Sequence, residues 1–159
     1  MKQPDSVKNA GKLALVENRV SLYHKQEERF NFAKSEPMTS VDTIFAVATP
    51  PGRSAVGVVR ISGPQAAQAP ALFGAACPEA GRFKLARLLA SGQVIDEALI
   101  LFMQAPRSST GEDVCEMHCH GSSAVLGLVL EILSDAPGFR LADAGEFTRR
   151  AFMHNKLDL

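Results

Sequence analysis

Hydrophobic positions are organised from about residue 43 onward and scattered before it. The run TIFAVAT, residues 43–49, is almost continuously apolar and predicts a buried strand. Pro50-Pro51-Gly52-Arg53 breaks it, because proline lacks a ladder donor and glycine permits a sharp corner. AVGVVRIS then predicts a second strand, and GPQAAQAPALF a helix opening near Pro64 that Pro70 would end or kink. KLARLLAS and VIDEALILFMQ flank Ser91-Gly92-Gln93 and read as a hairpin. APRSSTG is a loop, and EDVCEMHCH alternates polar and apolar positions as a strand does. GSSAVLGLVLEILSDAPG is the strongest helix. Val125, Leu128, Val129 and Ile132 form its main stripe, Leu126, Leu130 and Leu133 widen it, and Ser122 or Ser123 stands at the cap. FRLAD is a short strand. DAGEFTRRAFMHNKLDL opens another helix, with Asp143 and Glu146 at capping-box spacing.

These elements predict an α+β domain, a mixed sheet flanked by helices. Residues 1–40 differ from it. They are polar, with partial helical spacing only over 12–30, and predict a disordered or weakly helical N-terminal extension. Met38 is a candidate alternative start. At the other end, charged helical sequence runs on to Leu159 without a glycine or proline stop, which reads as a truncation.

Composition narrows the classes. A chain of 159 residues, 46% apolar and 21% charged, suits one soluble domain plus a tail. The formal net charge is zero, so no broad electrostatic footprint points to nucleic acid. Without Trp, and with Tyr23 the single tyrosine, a base-stacking platform is not expected. Cys77, Cys115 and Cys119 make an odd number, which suits reduced thiols of a cytoplasmic protein. No apolar run approaches the roughly 20 residues of a membrane span.

Period-two geometry sorts the residues that carry chemistry. Val56, Val58 and Arg60 share one face of their strand, with Gly57, Val59 and Ile61 on the other. On the later strand Val114, Glu116, His118 and His120 share a face, opposite Cys115, Met117 and Cys119. Arg60 and Glu116 thus place two charges on otherwise apolar faces. They suit either a partly buried salt bridge or a ligand site, in which a guanidinium fork meets a carboxylate or ring carbonyl while a carboxylate takes paired N–H donors of a pterin or purine. His118 and His120 form an H-x-H pair that could ligate zinc, but Cys115 and Cys119 fall on the opposite face, and hydrogen-bonded histidines are the simpler reading. There is no G-x-S-x-G elbow, no dinucleotide fingerprint and no G-x-x-x-x-G-K-[ST] loop, so nucleoside triphosphate hydrolysis by this chain alone is not expected. Arg149, Arg150 and Lys156 make the last segment locally basic. Arg149 suits a solvated helix face, and Lys156 suits a residue pointing back across the fold toward an anion.

Three segments, DTIFAVATPPGRSAVGVVRISGP, STGEDVCEMHCHG and AGEFTRRAFMHNKLDL, stand in one order and together resemble the N-terminal domain of the MnmE (TrmE) family of tRNA uridine-modifying GTPases. The resemblance covers the chain from about residue 42. It implies a folate-binding fold, a domain over 41–150 that binds 5-formyltetrahydrofolate and forms a homodimer, and the start of a helical domain at 151–159. By position it implies folate contacts at Arg60, Glu116 and Lys156, with no catalytic residue and no metal ligand in this domain. Glu116 would accept from pterin N–H groups, and Arg60 and Lys156 would engage carbonyl or glutamate-tail oxygens. The corner with Arg53 would shape the pocket wall or the dimer contact. For the full protein it implies a flavoprotein partner of the MnmG type, tRNA as substrate with modification at C5 of the wobble uridine, and GTP, magnesium and potassium confined to a G domain that this sequence lacks. Two positions depart from the family pattern: Ser122-Ser123 where a second glycine is common, and Ala144 where proline is usual. The alternative in another class is a structural dimerisation module in which Arg60 and Glu116 are simply a salt bridge.

Overall fold

The computed structural model describes residues 42–52 and 54–157, so the N-terminal extension and Arg53 lie outside the described residues. Six strands form one sheet: β1 (Thr43–Val47), β2 (Val56–Ser62), β3 (Arg82–Ala90), β4 (Gln93–Met103), β5 (Val114–His120) and β6 (Phe139–Leu141). Their order is β3-β4-β5-β2-β1-β6. Every neighbouring pair is antiparallel except β1 with β6, which makes the sheet mixed. With the helices on its flank this is the α+β class expected from the pattern.

The β3–β4 hairpin closes on a two-residue turn. Ser91 and Gly92 both adopt positive φ, 50° and 75°, the conformation of a type I′ turn, whose twist matches that of the strands it joins. Gln93 already belongs to β4. GPQAAQAPALF forms a 3₁₀ helix, Ala66–Phe73, which runs through Pro70 rather than ending there. Gly74, left-handed at φ 69°, closes it and donates to the Ala71 and Pro70 carbonyls.

Helix α1 (Ser123–Asp135) follows β5 directly. The residues it buries most deeply run Leu126, Val129, Leu130 and Leu133, spaced i, i+3, i+4 and i+7, while Val125 and Ile132 are only partly buried. The main stripe is therefore the set expected merely to widen it. It packs on Phe45, Val59, Ile61, Ile100, Cys115, Met117 and Cys119 of the sheet, and Ala66, Ala69 and Phe73 of the 3₁₀ helix complete the same core. Ser122 occupies the N-cap position, but its hydroxyl makes no capping hydrogen bond.

Helix α2 (Glu146–Met153) ends before the sequence pattern suggested. Asn155 takes a left-handed φ of 55°, its N–H meets the Phe152 carbonyl at 3.0 Å, and the Lys156 N–H meets the Ala151 carbonyl at 2.8 Å. This is a Schellman closure with asparagine in place of the usual glycine. The expectation of helix running on to Leu159 is therefore corrected: the helix stops at Met153. At its start, Glu146 accepts the Asp143 N–H at 2.8 Å, half of the expected capping box, while the N-cap position itself falls on Gly145.

Candidate functional site

The register brings Arg60 directly opposite Glu116 on the neighbouring strand, and Val58 opposite His118. On β4, Leu101 stands beside Glu116 and Leu99 beside His118; on β3, Phe83 and Leu85 follow. Alternation puts all of these on the sheet face away from the α1 core. One row therefore runs from exposed apolar residues at the β3 edge, through half-buried leucines, into a charged cluster at the centre of the sheet. Phe83 and Leu85 are 71% and 60% exposed.

Within the cluster the Arg60 Nε–H donates to Glu116 Oε1 at 2.7 Å. The other carboxylate oxygen, Oε2, meets His118 Nε2 at 3.1 Å. Glu116 is buried, while the side chains of Arg60 and His118 are about one-third exposed, at 33% and 31%. Arg60 and His118 form no other side-chain hydrogen bond among the described residues, which leaves both Nη groups of Arg60 and Nδ1 of His118 open. Sequence geometry placed Arg60 and Glu116 on matching faces. It gave no signal that His118 shares the carboxylate, because that depends on a rotamer and not on spacing.

Lys156 lies elsewhere on the same side of the fold. The Schellman turn folds it back over the loop before β5: a Cβ added to Gly111 would meet His154 Cβ at 2.5 Å and Lys156 Cγ at 3.5 Å. No hydrogen bond or ion pair of its ammonium occurs among the described residues, and it touches neither Arg60 nor Glu116 in any such bond. Of the three residues expected at the site, the structure joins two and sets the third over the neighbouring loop.

Helix α2 is held by a buried charge cluster that sequence reading missed. Arg150, assigned only to a locally basic segment, is 1% exposed. Its guanidinium donates to Glu146 Oε1 at 3.0 Å, to both oxygens of Glu112 at 3.1 Å and to Asp42 Oδ1 at 2.8 Å. Arg140 adds paired bonds to Glu146 at 2.6 and 2.8 Å and a further bond to Asp42. Glu112 also accepts the Ser62 hydroxyl at 2.7 Å, two residues along β2 from Arg60. Burial pushes the carboxyls of Asp42 and Glu146 up, but hydrogen bonds from Arg140 and Arg150, with their charges, more than reverse it and hold both below their ordinary values.

The H-x-H pair is divided between two carboxylates. His120 Nδ1 meets Asp96 Oδ1 at 2.6 Å and its backbone N–H meets Asp96 Oδ2 at 2.9 Å, whereas His118 turns to Glu116. Among the described residues no group of three or more His, Cys, Asp or Glu side chains converges as a metal site would require. Cys115 and Cys119 are buried in the core; burial raises both thiols, Cys119 to about 12. β5 ends against the corner after β1: Gly121 donates to the Ala55 carbonyl, and a Cβ there would lie 2.0 Å from the Ser54 carbonyl oxygen. Among the described residues no helix is long and apolar enough to cross a membrane.

A mixed sheet with an open, charged face and a C-terminal lysine turn defines the N-terminal module of a class of GTP-binding proteins. Residues 43–156 match the family described as "GTP-binding protein TrmE N-terminus", and the chain belongs to that family. Similar proteins include the tRNA modification GTPases MnmE of Cereibacter sphaeroides, 53% identical over 119 residues, of Phenylobacterium zucineum, 52% over 119, and of Rhodospirillum rubrum, 49% over 134. These matches cover 75%, 74% and 76% of this chain but only 28%, 26% and 30% of those relatives.

Proposed function

We propose that this chain is a 5-formyltetrahydrofolate-binding and dimerisation domain of a tRNA modification GTPase. The observation that carries the reading is the Arg60–Glu116 pair on an open sheet face, with both Nη groups of Arg60 unengaged. The groups present fit such a ligand. Guanidinium and ammonium donors at Arg60 and Lys156 suit carbonyl and carboxylate oxygens, a carboxylate at Glu116 suits an amino-heterocycle, and Leu99 and Leu101 offer half-buried apolar surface beside them. When bound, the folate would supply a one-carbon unit. The chain's own part is to orient it: Arg60 by hydrogen bonds, Lys156 by charge from the loop side.

The reading divides the chain into an extension over 1–40, a folate-binding and dimerisation unit over 41–150, and the lead into a helical domain at 151–159. Exposed Phe83 and Leu85 on the edge strand support a homodimer, since a row of apolar side chains beside an unpaired edge favours a partner surface. Modification at C5 of the wobble uridine with an MnmG-type flavoprotein, GTP with magnesium and potassium in a separate G domain, and a cytoplasmic location follow from the family resemblance.

Calorimetry with 5-formyltetrahydrofolate tests the site. Arg60→Ala and Lys156→Ala should each weaken binding by roughly tenfold, the scale of a charge-assisted hydrogen bond. Equal affinity of both variants and the parent would leave Arg60 and Glu116 as a structural salt bridge in an interaction module. Sedimentation of the same preparation should give a dimer; a monomer at every concentration refutes the assembly.

A further inference from the structure

The acceptor expected to grip the ligand is already engaged. Glu116 is buried, and each of its oxygens has a protein partner: Arg60 Nε on Oε1 and His118 Nε2 on Oε2. A carboxylate paired to a guanidinium only accepts, so the proton of the 3.1 Å contact sits on His118 Nε2. The other ring nitrogen, Nδ1, is then a lone pair with no partner among the described residues. Arg60 and His118 are also the exposed members of the cluster.

The groups left for a ligand are thus guanidinium N–H donors at Arg60 and an imidazole acceptor at His118. They lie on one sheet face, His118 one residue pair along from the Arg60–Glu116 pair. A donor beside an acceptor complements a lactam edge, where a ring carbonyl accepts and the adjacent ring N–H donates. It mismatches a 4-amino heterocycle, which presents an amine donor and a ring-nitrogen lone pair in the same places.

We propose that His118 is a specificity-determining contact of this site, reading the lactam N–H through Nδ1, and that Glu116 is a positioning residue that fixes the His118 tautomer and the Arg60 fork without touching the ligand. This rests on the folate reading above. It assigns His118 a role that the family pattern does not give it, and removes Glu116 from direct contact.

The test compares 5-formyltetrahydrofolate with its 4-amino-4-deoxy analogue by calorimetry on the full 159-residue chain. The parent should bind the lactam form at least about tenfold more tightly, because a site built for a donor–acceptor pair rejects the mismatched partner. His118→Ala should weaken the lactam form about five- to tenfold and leave the analogue within about twofold, collapsing the discrimination. Nitrogen-15 NMR of labelled histidine provides a readout independent of the alanine variant's folding. In the parent, His118 should be the Nε2–H tautomer, its Nδ1 resonance should move on adding the lactam ligand, and Glu116→Leu should mix the tautomers. If the parent binds neither compound, the folate reading fails and this proposal with it. If the parent binds the lactam form but His118→Ala keeps full discrimination, or Nδ1 does not respond to ligand, the folate reading stands and His118 is not a contact.

Discussion

Replacing Arg150 with alanine should be among the most damaging single changes in this domain. Its guanidinium is 1% exposed and satisfies acceptors on three separated segments: Asp42 before β1, Glu112 before β5 and Glu146 at the start of α2. Deleting it leaves the fully buried Glu146 carboxylate with Arg140 as its one remaining cationic partner, and strips Glu112, 10% exposed, of its only guanidinium. Neither carboxylate can reach bulk water in exchange. Removing one member of a buried ion cluster costs about 3–5 kcal/mol, because the charges left behind stay desolvated. Natural domains have roughly 5–15 kcal/mol of stability in all. For a domain of this size about 4 °C of melting temperature accompanies each kcal/mol, so the variant should melt roughly 12–20 °C lower. Circular dichroism, heating both proteins at pH 7 with urea titrations alongside, measures the difference. Arg107→Ala, an exposed arginine on the loop before β5, is the control and should stay within about 0.5 kcal/mol of the parent. A loss below about 1 kcal/mol for Arg150→Ala would refute the reasoning, since that is the range of solvated surface pairs.

The same cluster predicts a pH dependence. Asp42 and Glu146 have folded values held below their ordinary 3.8 and 4.5, so their contribution is fully present above those values and is lost as pH falls through the lower folded ones. Melting temperature should therefore be flat above about pH 5.5 and drop on acidification below about pH 4.5, with a shallower drop in Arg150→Ala; a parent that gains stability in acid contradicts this sign. A thiol reagent at pH 8 should spare Cys115 and Cys119 in the native protein and modify all three cysteines in denaturant, because burial raises both core thiols, Cys119 to about 12. Rapid native labelling of Cys119, followed by mass spectrometry, would show that the core opens readily.

Much of this fold was legible because strand alternation is a short-range signal. The face assignments of Arg60 and Glu116 needed only period two, and the observed register sets them opposite each other. The hairpin was legible from Ser91-Gly92, where the turn chemistry demands positive φ. The α1 stripe was misplaced by one helical position, because an almost wholly apolar helix satisfies two stripes equally and tertiary packing chooses between them. The stop of α2 was missed because asparagine, not glycine, takes the left-handed position. Arg150 was read as one of a basic group. Its partners stand 4, 38 and 108 residues away, and only the first of these separations is a helical neighbour.

These last two features bear on the site together. The Arg150 cluster ties α2 to the strand end that carries Ser62 and to the loop that carries Gly111 and Glu112. The Asn155 closure then turns Lys156 onto that same loop, so its position depends on charges that never approach a ligand. Arg60 is placed differently, by ladder pairing on both sides of β2 and by Glu116. A perturbation of the buried cluster should therefore displace the lysine side of the site first, while the Arg60–Glu116–His118 side persists as long as the sheet does. The site has two independently supported halves, one built on strands and one on a capped helix end.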